Sequence, residues 1–103
     1  MASLSEIHFH YTRAIRQADR LEETSVRLKK DAADEMDELL GETYNAWKSE
    51  TSEQYLQKGQ KVEEELRVIA DNLEKISENV RAIAEKIRKT ELEAGRIFNE
   101  KNV

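Results

Sequence analysis

Apolar residues recur at spacings of three and four from Tyr55 to Ile97. Val62, Leu66, Ile69, Leu73, Ile76, Val80, Ile83 and Ile87 carry the repeat without a gap, and Ala94 and Ile97 continue it. A helix presents such residues as one seam, and a seam sustained over this many heptads predicts burial against another helix. The first half of the chain repeats the pattern more weakly, through Ile7, Tyr11, Ala14, Ala18, Leu21, Leu28, Ala32 and Leu39, with Ile15, Ala33 and Met36 alongside. Its heptad slot at Ser25 is polar and the one at Glu35 is charged. The alanines of this half predict that the branched residues of the second helix approach closely, small against large.

Gly41 follows Leu39 and Leu40 where a helix C-terminal glycine is expected. Thr51 with Gln54 fits a capping box for the next helix, and Ser49 and Ser52 offer alternative caps. These signals predict a first helix over about 5–40, a turn over about 41–51 and a second helix over about 52–98. Ile7-His8-Phe9-His10-Tyr11 alternates apolar and polar residues, so helix and extended arm both stay open for residues 5–11. A short connection makes the two helices antiparallel neighbours. The expected fold is all-α: one antiparallel two-helix hairpin spanning 1–103. Val68, Ala70, Ala82, Ala84 and Leu92 widen the second stripe beyond what one neighbour hides. A lone hairpin is therefore marginal, and dimerisation into a four-helix bundle would complete the core.

Composition narrows the function classes. There is no proline, glycine occurs only at 41, 59 and 95, and aromatics make up 6% of the chain, which suits helices and not a sheet. The net charge is −5, and the best basic cluster, Arg27 with Lys29 and Lys30, is too small to neutralise many phosphates. Nucleic-acid binding is not expected. The absence of cysteine rules out disulfides and leaves the redox compartment open. Met1 to Glu6 lacks the basic and apolar regions of a signal peptide, and no stretch has the apolar length to span a bilayer. A cytoplasmic location follows, or export without a signal peptide, and no membrane insertion.

Chemistry is sparse. Neither His8 nor His10 has a glutamate three residues before it, so the di-metal bundle pattern is missing; the pair would share a face only in an extended segment. No metal or cofactor is expected. The carboxylates of Asp34, Glu35, Asp37 and Glu38, and of Glu63, Glu64 and Glu65, fall mostly opposite the stripe and should be solvated, and a slender hairpin offers no pocket for catalysis. With no phosphate loop or nucleophile elbow, catalytic residues are not expected and the chain does not read as an enzyme. Trp47 is read either as a plug closing the open end of the hairpin or as an exposed docking anchor.

The stretch Trp47-Lys48-Ser49-Glu50-Thr51-Ser52-Glu53-Gln54-Tyr55 resembles the signature of the WXG100, or ESAT-6-like, family. Its members are helical hairpins of about this length with Trp-x-Gly in the turn; here Ser49 stands at the glycine, and Ser52 and Tyr55 at the small and aromatic positions that follow. The family's C-terminal export signal, Tyr-x-x-x-Asp/Glu, is degenerate, with Phe98 and Asn102 in its place. The resemblance implies a non-enzymatic binding protein of a Gram-positive type VII secretion system. Its small helical members accompany LXG toxins as targeting factors or chaperones, or are secreted as WXG100-like partners. The implied partner is the helical N-terminal domain of an LXG-type toxin or another WXG100-like chain, with a homodimer also open. A strong second seam beside a weaker first one suits a non-identical partner. The alternative is a cytosolic coiled-coil scaffold or adaptor unrelated to secretion, which the same heptads would serve.

Overall fold

The computed structural model describes the backbone of residues 3–101 and the side chains of residues 3–99. It is all-helical. Helix α1 runs from Leu4–Arg27, a π-helical segment follows over Leu28–Asp34, α2 covers Glu35–Trp47 and α3 covers Glu50–Lys101. No strand occurs among the described residues. Residues 5–11 are helical, which closes the alternative of an extended arm. Ser3 starts α1: its hydroxyl accepts the Glu6 N–H at 3.2 Å, and its carbonyl accepts the Ile7 N–H at 3.0 Å.

The chain divides into two compact units, one made of the residues up to Leu21 with those from Lys75 onward, the other of Glu22–Glu74. In each, a segment of the first half runs antiparallel to a segment of α3. In the Glu22–Glu74 unit, Lys29 meets Asp71 at 2.7 Å and Asp34 meets Arg67 at 2.7 Å, so rising numbers on one side match falling numbers on the other. In the other unit, Asp19 meets Arg81 at 2.9 Å and the Tyr11 ring lies under the Arg88 guanidinium, 5.0 Å from its centroid.

Small residues occupy the buried positions. In the unit with the chain's two ends these are Ala18, Ser77 and Ala84 together with Ile7; in the other they are Ser25, Ala33, Ser52, Gly59 and Ala70. The approach is close enough for the Ser25 hydroxyl to donate to the Ala70 carbonyl at 2.6 Å. A methyl group placed on Gly59 would stand 2.5 Å from a terminal carbon of Leu40. Small thus meets small at Ser25 and Ala70 and small meets branched at Gly59 and Leu40, with Leu21, Leu28, Leu66, Leu73 and Val80 half-buried.

The π-helical segment explains how the weak first seam still closes. Heptads continued from Ser25 and Leu28 as plain α-helix would place Ala32, Glu35 and Leu39 against α3. A π-turn takes up one extra residue. The residues turned toward α3 are instead Ala33, Met36 and Leu40, while Glu35 and Leu39 are exposed. One inserted residue thus exchanges a carboxylate for a thioether in the seam.

The connection is shorter than the expected 41–51. Gly41 lies inside α2 and no glycine has a positive φ, so it is not the left-handed helix stop that its place after Leu39-Leu40 suggests. Alpha-helical hydrogen bonding continues to the Lys48 N–H, which donates to the Tyr44 carbonyl at 2.9 Å. Between α2 and α3 only Lys48 and Ser49 lie outside helices. Ser49 and Ser52 then form a reciprocal cap: the Ser49 N–H donates to the Ser52 hydroxyl at 2.8 Å and the Ser52 N–H to the Ser49 hydroxyl at 3.2 Å. That pair displaces the Thr51–Gln54 box and starts α3 two residues earlier than expected.

Two measurements check these points. Gly41→Ala places a methyl where nothing lies within 4 Å and should stabilise the chain by about 0.5–1 kcal/mol in thermal unfolding. A loss of stability would restore the left-handed turn. Deleting Lys30 lets the π segment close into α-helix with Met36 and Leu40 still in the seam, so the melting midpoint should hold or rise. A fall of more than about 5 °C, the shift that about 1 kcal/mol causes in a domain this size, would contradict the register argument.

Candidate functional site

With the small residues turned inward, the branched residues of α3 are left at the side. Around a helix, stepping back one residue turns about 100° in one sense, and stepping back three turns about 60° in the other. Val62, Ile69, Ile76 and Ile83 each precede by one residue an inward position: Glu63, Ala70, Ser77 and Ala84. Arg67, Arg81 and Arg88 each precede by three residues Ala70, Ala84 and Glu91. The two rows therefore flank the seam on opposite edges, and the arrangement holds within each unit.

The arginine edge is closed by charge. Arg67 bridges Asp34 and Glu63, Arg81 bridges Asp19, and Lys29 spans Asp71 and Glu74 at 2.7 and 3.5 Å. Arg88 lies over Tyr11 and pairs with Glu85. The hydrogen bond from Arg88 holds the Glu85 carboxyl below the usual carboxylate range. The bond to Asp71 raises the Lys29 ammonium, and the bond to Asp34 raises the Arg67 guanidinium. These groups are solvent-exposed, so each pair adds little to stability and mainly fixes which edges face each other.

The other edge is open and apolar. Ile69, Ile76 and Ile83 are 50%, 47% and 57% exposed, with Val62 and Ile87 similar. The stripe expected as core is thus divided: Leu66, Leu73 and Val80 are half-buried against the first half of the chain, while Val62, Ile69, Ile76, Ile83 and Ile87 are not. Of the row that does pack, Gly59, Ala70, Ser77 and Ala84, the apolar pattern marks Ala70 and Ala84 only as widening the stripe and does not single out Gly59 or Ser77, because Ala, Ser and Gly weigh near neutral in hydrophobicity. Its signal was a seven-residue recurrence of small residues, 70, 77 and 84, one step after the isoleucines.

The turn residues stay close in sequence but differ in role. Trp47 ends α2 and is 74% exposed, so it does not plug the end of the helix pair. Ser49 and Ser52 are the cap already described, and Tyr55 is 67% exposed. Phe98, which the resemblance would place in an export signal, is exposed at the rim of a groove of about 510 Å³ lined also by Leu4, Ile7, Leu92 and Gly95. Asn102 lies outside the described residues.

His8 and His10 are both exposed, and two residues apart on a helix they point about 200° away from each other. Among the described residues no group of three or more His, Asp or Glu is placed to hold a metal ion. No helix among them is long and apolar enough to cross a membrane. Compared with protein-family models, with curated proteins and with solved structures, the chain matches none.

Inward small residues make a sharp prediction. Ala70→Leu should cost about 1–3 kcal/mol in denaturant unfolding, because the added methylenes meet a closely approached backbone. An unchanged midpoint would mean that Ala70 does not face the first half of the chain.

Proposed function

We propose that this chain is a non-enzymatic helical binding protein, a two-helix hairpin whose open edge is completed to a four-helix bundle by helices of another polypeptide. The carrying observation is the exposed branched row on the edge opposite the ion-paired one: Val62, Ile69, Ile76, Ile83 and Ile87 stand where a neighbouring helix would sit. Fully covering one such side chain contributes roughly 1.5–3 kcal/mol before ordering costs, which makes the row the strongest drive to association on α3.

The resemblance of Trp47-Lys48-Ser49 with Ser52 and Tyr55 to the WXG100 turn supports placing this binding in a Gram-positive type VII secretion system. There the chain would act as targeting factor or chaperone for an LXG-type toxin, or as a WXG100-like partner, with Phe98 and Asn102 as a divergent half-signal for export. Exposed Trp47 favours the docking-anchor reading over the plug.

The test is affinity capture of the tagged chain from its native host, with a double variant, Ile69→Asp with Ile83→Asp, as control. Wild type should bring down a long protein with a helical N-terminal half and a different C-terminal domain. The variant should lose it while keeping its circular dichroism, because both residues lie outside the intrachain seam. Retained capture by the variant would sink the proposed surface. Trp47→Ala separates the two classes: it should impair a WXG100-like complex and leave a generic coiled-coil scaffold unaffected.

A further inference from the structure

Charge is divided unevenly between the two units. Of the net −5, the unit with the chain's two ends carries +3, from 10 Lys and Arg against 7 Asp and Glu; Glu22–Glu74 carries −8, from 7 against 15. Within the basic unit, helical register sorts the charges by edge. Asp19 follows the inward Ala18 by one residue and reaches Arg81, and Glu78 and Glu85 follow Ser77 and Ala84 in the same way. Those carboxylates therefore lie on the arginine edge. Residues one step before an inward or half-buried position turn to the open edge instead. On α1 these are His10, Arg13, Gln17 and Arg20, which precede Tyr11, Ala14, Ala18 and Leu21, and all four are exposed. Glu6, before Ile7, is the one carboxylate of this row and stands at its outer end.

The open edge of this unit is thus a groove with unlike walls. The α3 wall is apolar, with Ile76, Ile83 and Ile87 each about half exposed. The α1 wall is polar and cationic. A wholly apolar helix laid between them would desolvate Arg13 and Arg20 without a partner, and a basic one would be repelled. A helix with apolar residues on one flank and carboxylates on the other satisfies both walls. Arg20 already interacts within the chain, yet a guanidinium carries five donors, and Arg67 serves Asp34 and Glu63 at once. The two arginines are seven residues apart, roughly 10 Å along α1, so carboxylates at heptad spacing on the incoming helix reach both.

We infer that this groove receives an acidic amphipathic helix of another protein, its apolar flank on Ile76, Ile83 and Ile87 and its carboxylates on Arg13 and Arg20. The inference rests on the reading of the open edge as a helix-docking surface and names the chemistry of the partner. It uses only residues up to Leu21 and from Lys75 onward, a single compact unit. Val80 stays half-buried in the intrachain seam and is not called upon.

The probes are two labelled helical peptides of about 20 residues with the same leucine seam, one with Glu and the other with Lys along one flank. Each is titrated with the full chain by fluorescence anisotropy. The Glu peptide should bind about tenfold tighter than the Lys peptide, and the gap should narrow as salt rises. Arg13→Glu with Arg20→Glu should weaken the Glu peptide by about tenfold and tighten the Lys peptide. Arg16→Glu, two residues before Ala18 and so on the outer face of α1, should change either by less than about threefold. All three arginines are exposed, so circular dichroism should not change. No binding of the Glu peptide, equal binding of the two, or an Arg16→Glu loss as large as that of the double variant overturns the inference. So does self-association of the wild type that the double variant abolishes, which would give the groove to a second copy. If host capture is lost with Ile69→Asp and Ile83→Asp but kept with Arg13→Glu and Arg20→Glu, the docking surface stands and the acidic partner is overturned.

Discussion

Two helical backbones come close only where neither carries a bulky side chain between them, and that constraint decides which face of α3 turns inward. Ala70, Ser77 and Ala84 meet it; Ile69, Ile76 and Ile83, one step away, do not. Once the small row takes the seam, the rest follows from helical geometry. The arginines three residues back reach across to Asp34, Asp19 and Tyr11 and seal one edge. The branched row lands on the other edge. Ile69, Ile76 and Ile83 are thereby left exposed, and the chain's own core is thin.

The same constraint acts on the first half. A carboxylate at Glu35 in the seam would lose hydration with no partner, a penalty of several kcal/mol in an apolar setting. The π-helical segment over Leu28–Asp34 avoids it by rotating Met36 and Leu40 inward. The cost is poorer helical hydrogen-bond geometry over one segment, confined to the place where the two heptad frames must change.

Helix content and the two halves were legible in the sequence, because periodicity reports which residues are apolar and where breaks fall. Which apolar row meets which neighbour was not legible. A stripe of Val62, Leu66, Ile69 and Leu73 looks the same whether it covers the chain's own first helix or another chain, and the deciding residues, Ala70 and Ser77, are ones that hydrophobicity barely weighs. Glu35 in a heptad slot was a visible sign of a register change whose remedy periodicity could not supply. Gly41 misled for a plain reason: glycine marks a helix end only when its backbone takes the left-handed form, and Gly41 remains helical. Trp47, expected within the turn, instead ends α2, and whether its ring packs depends on what lies past the helix end. The surface reading of this chain therefore comes from side-chain size more than from hydrophobicity.

The most direct test of the central claim, that α3 turns its small row inward and its branched row outward, is thiol labelling of single-cysteine variants in dilute solution. Cysteine at Ser77 or Ala70 should react slowly, at a rate set by unfolding, while cysteine at Ile76 or Ile69 should react at close to the rate of an exposed thiol. Fast labelling at 77 with protection at 76 would contradict the account, because it would place the isoleucine row in the intrachain seam and leave no open edge.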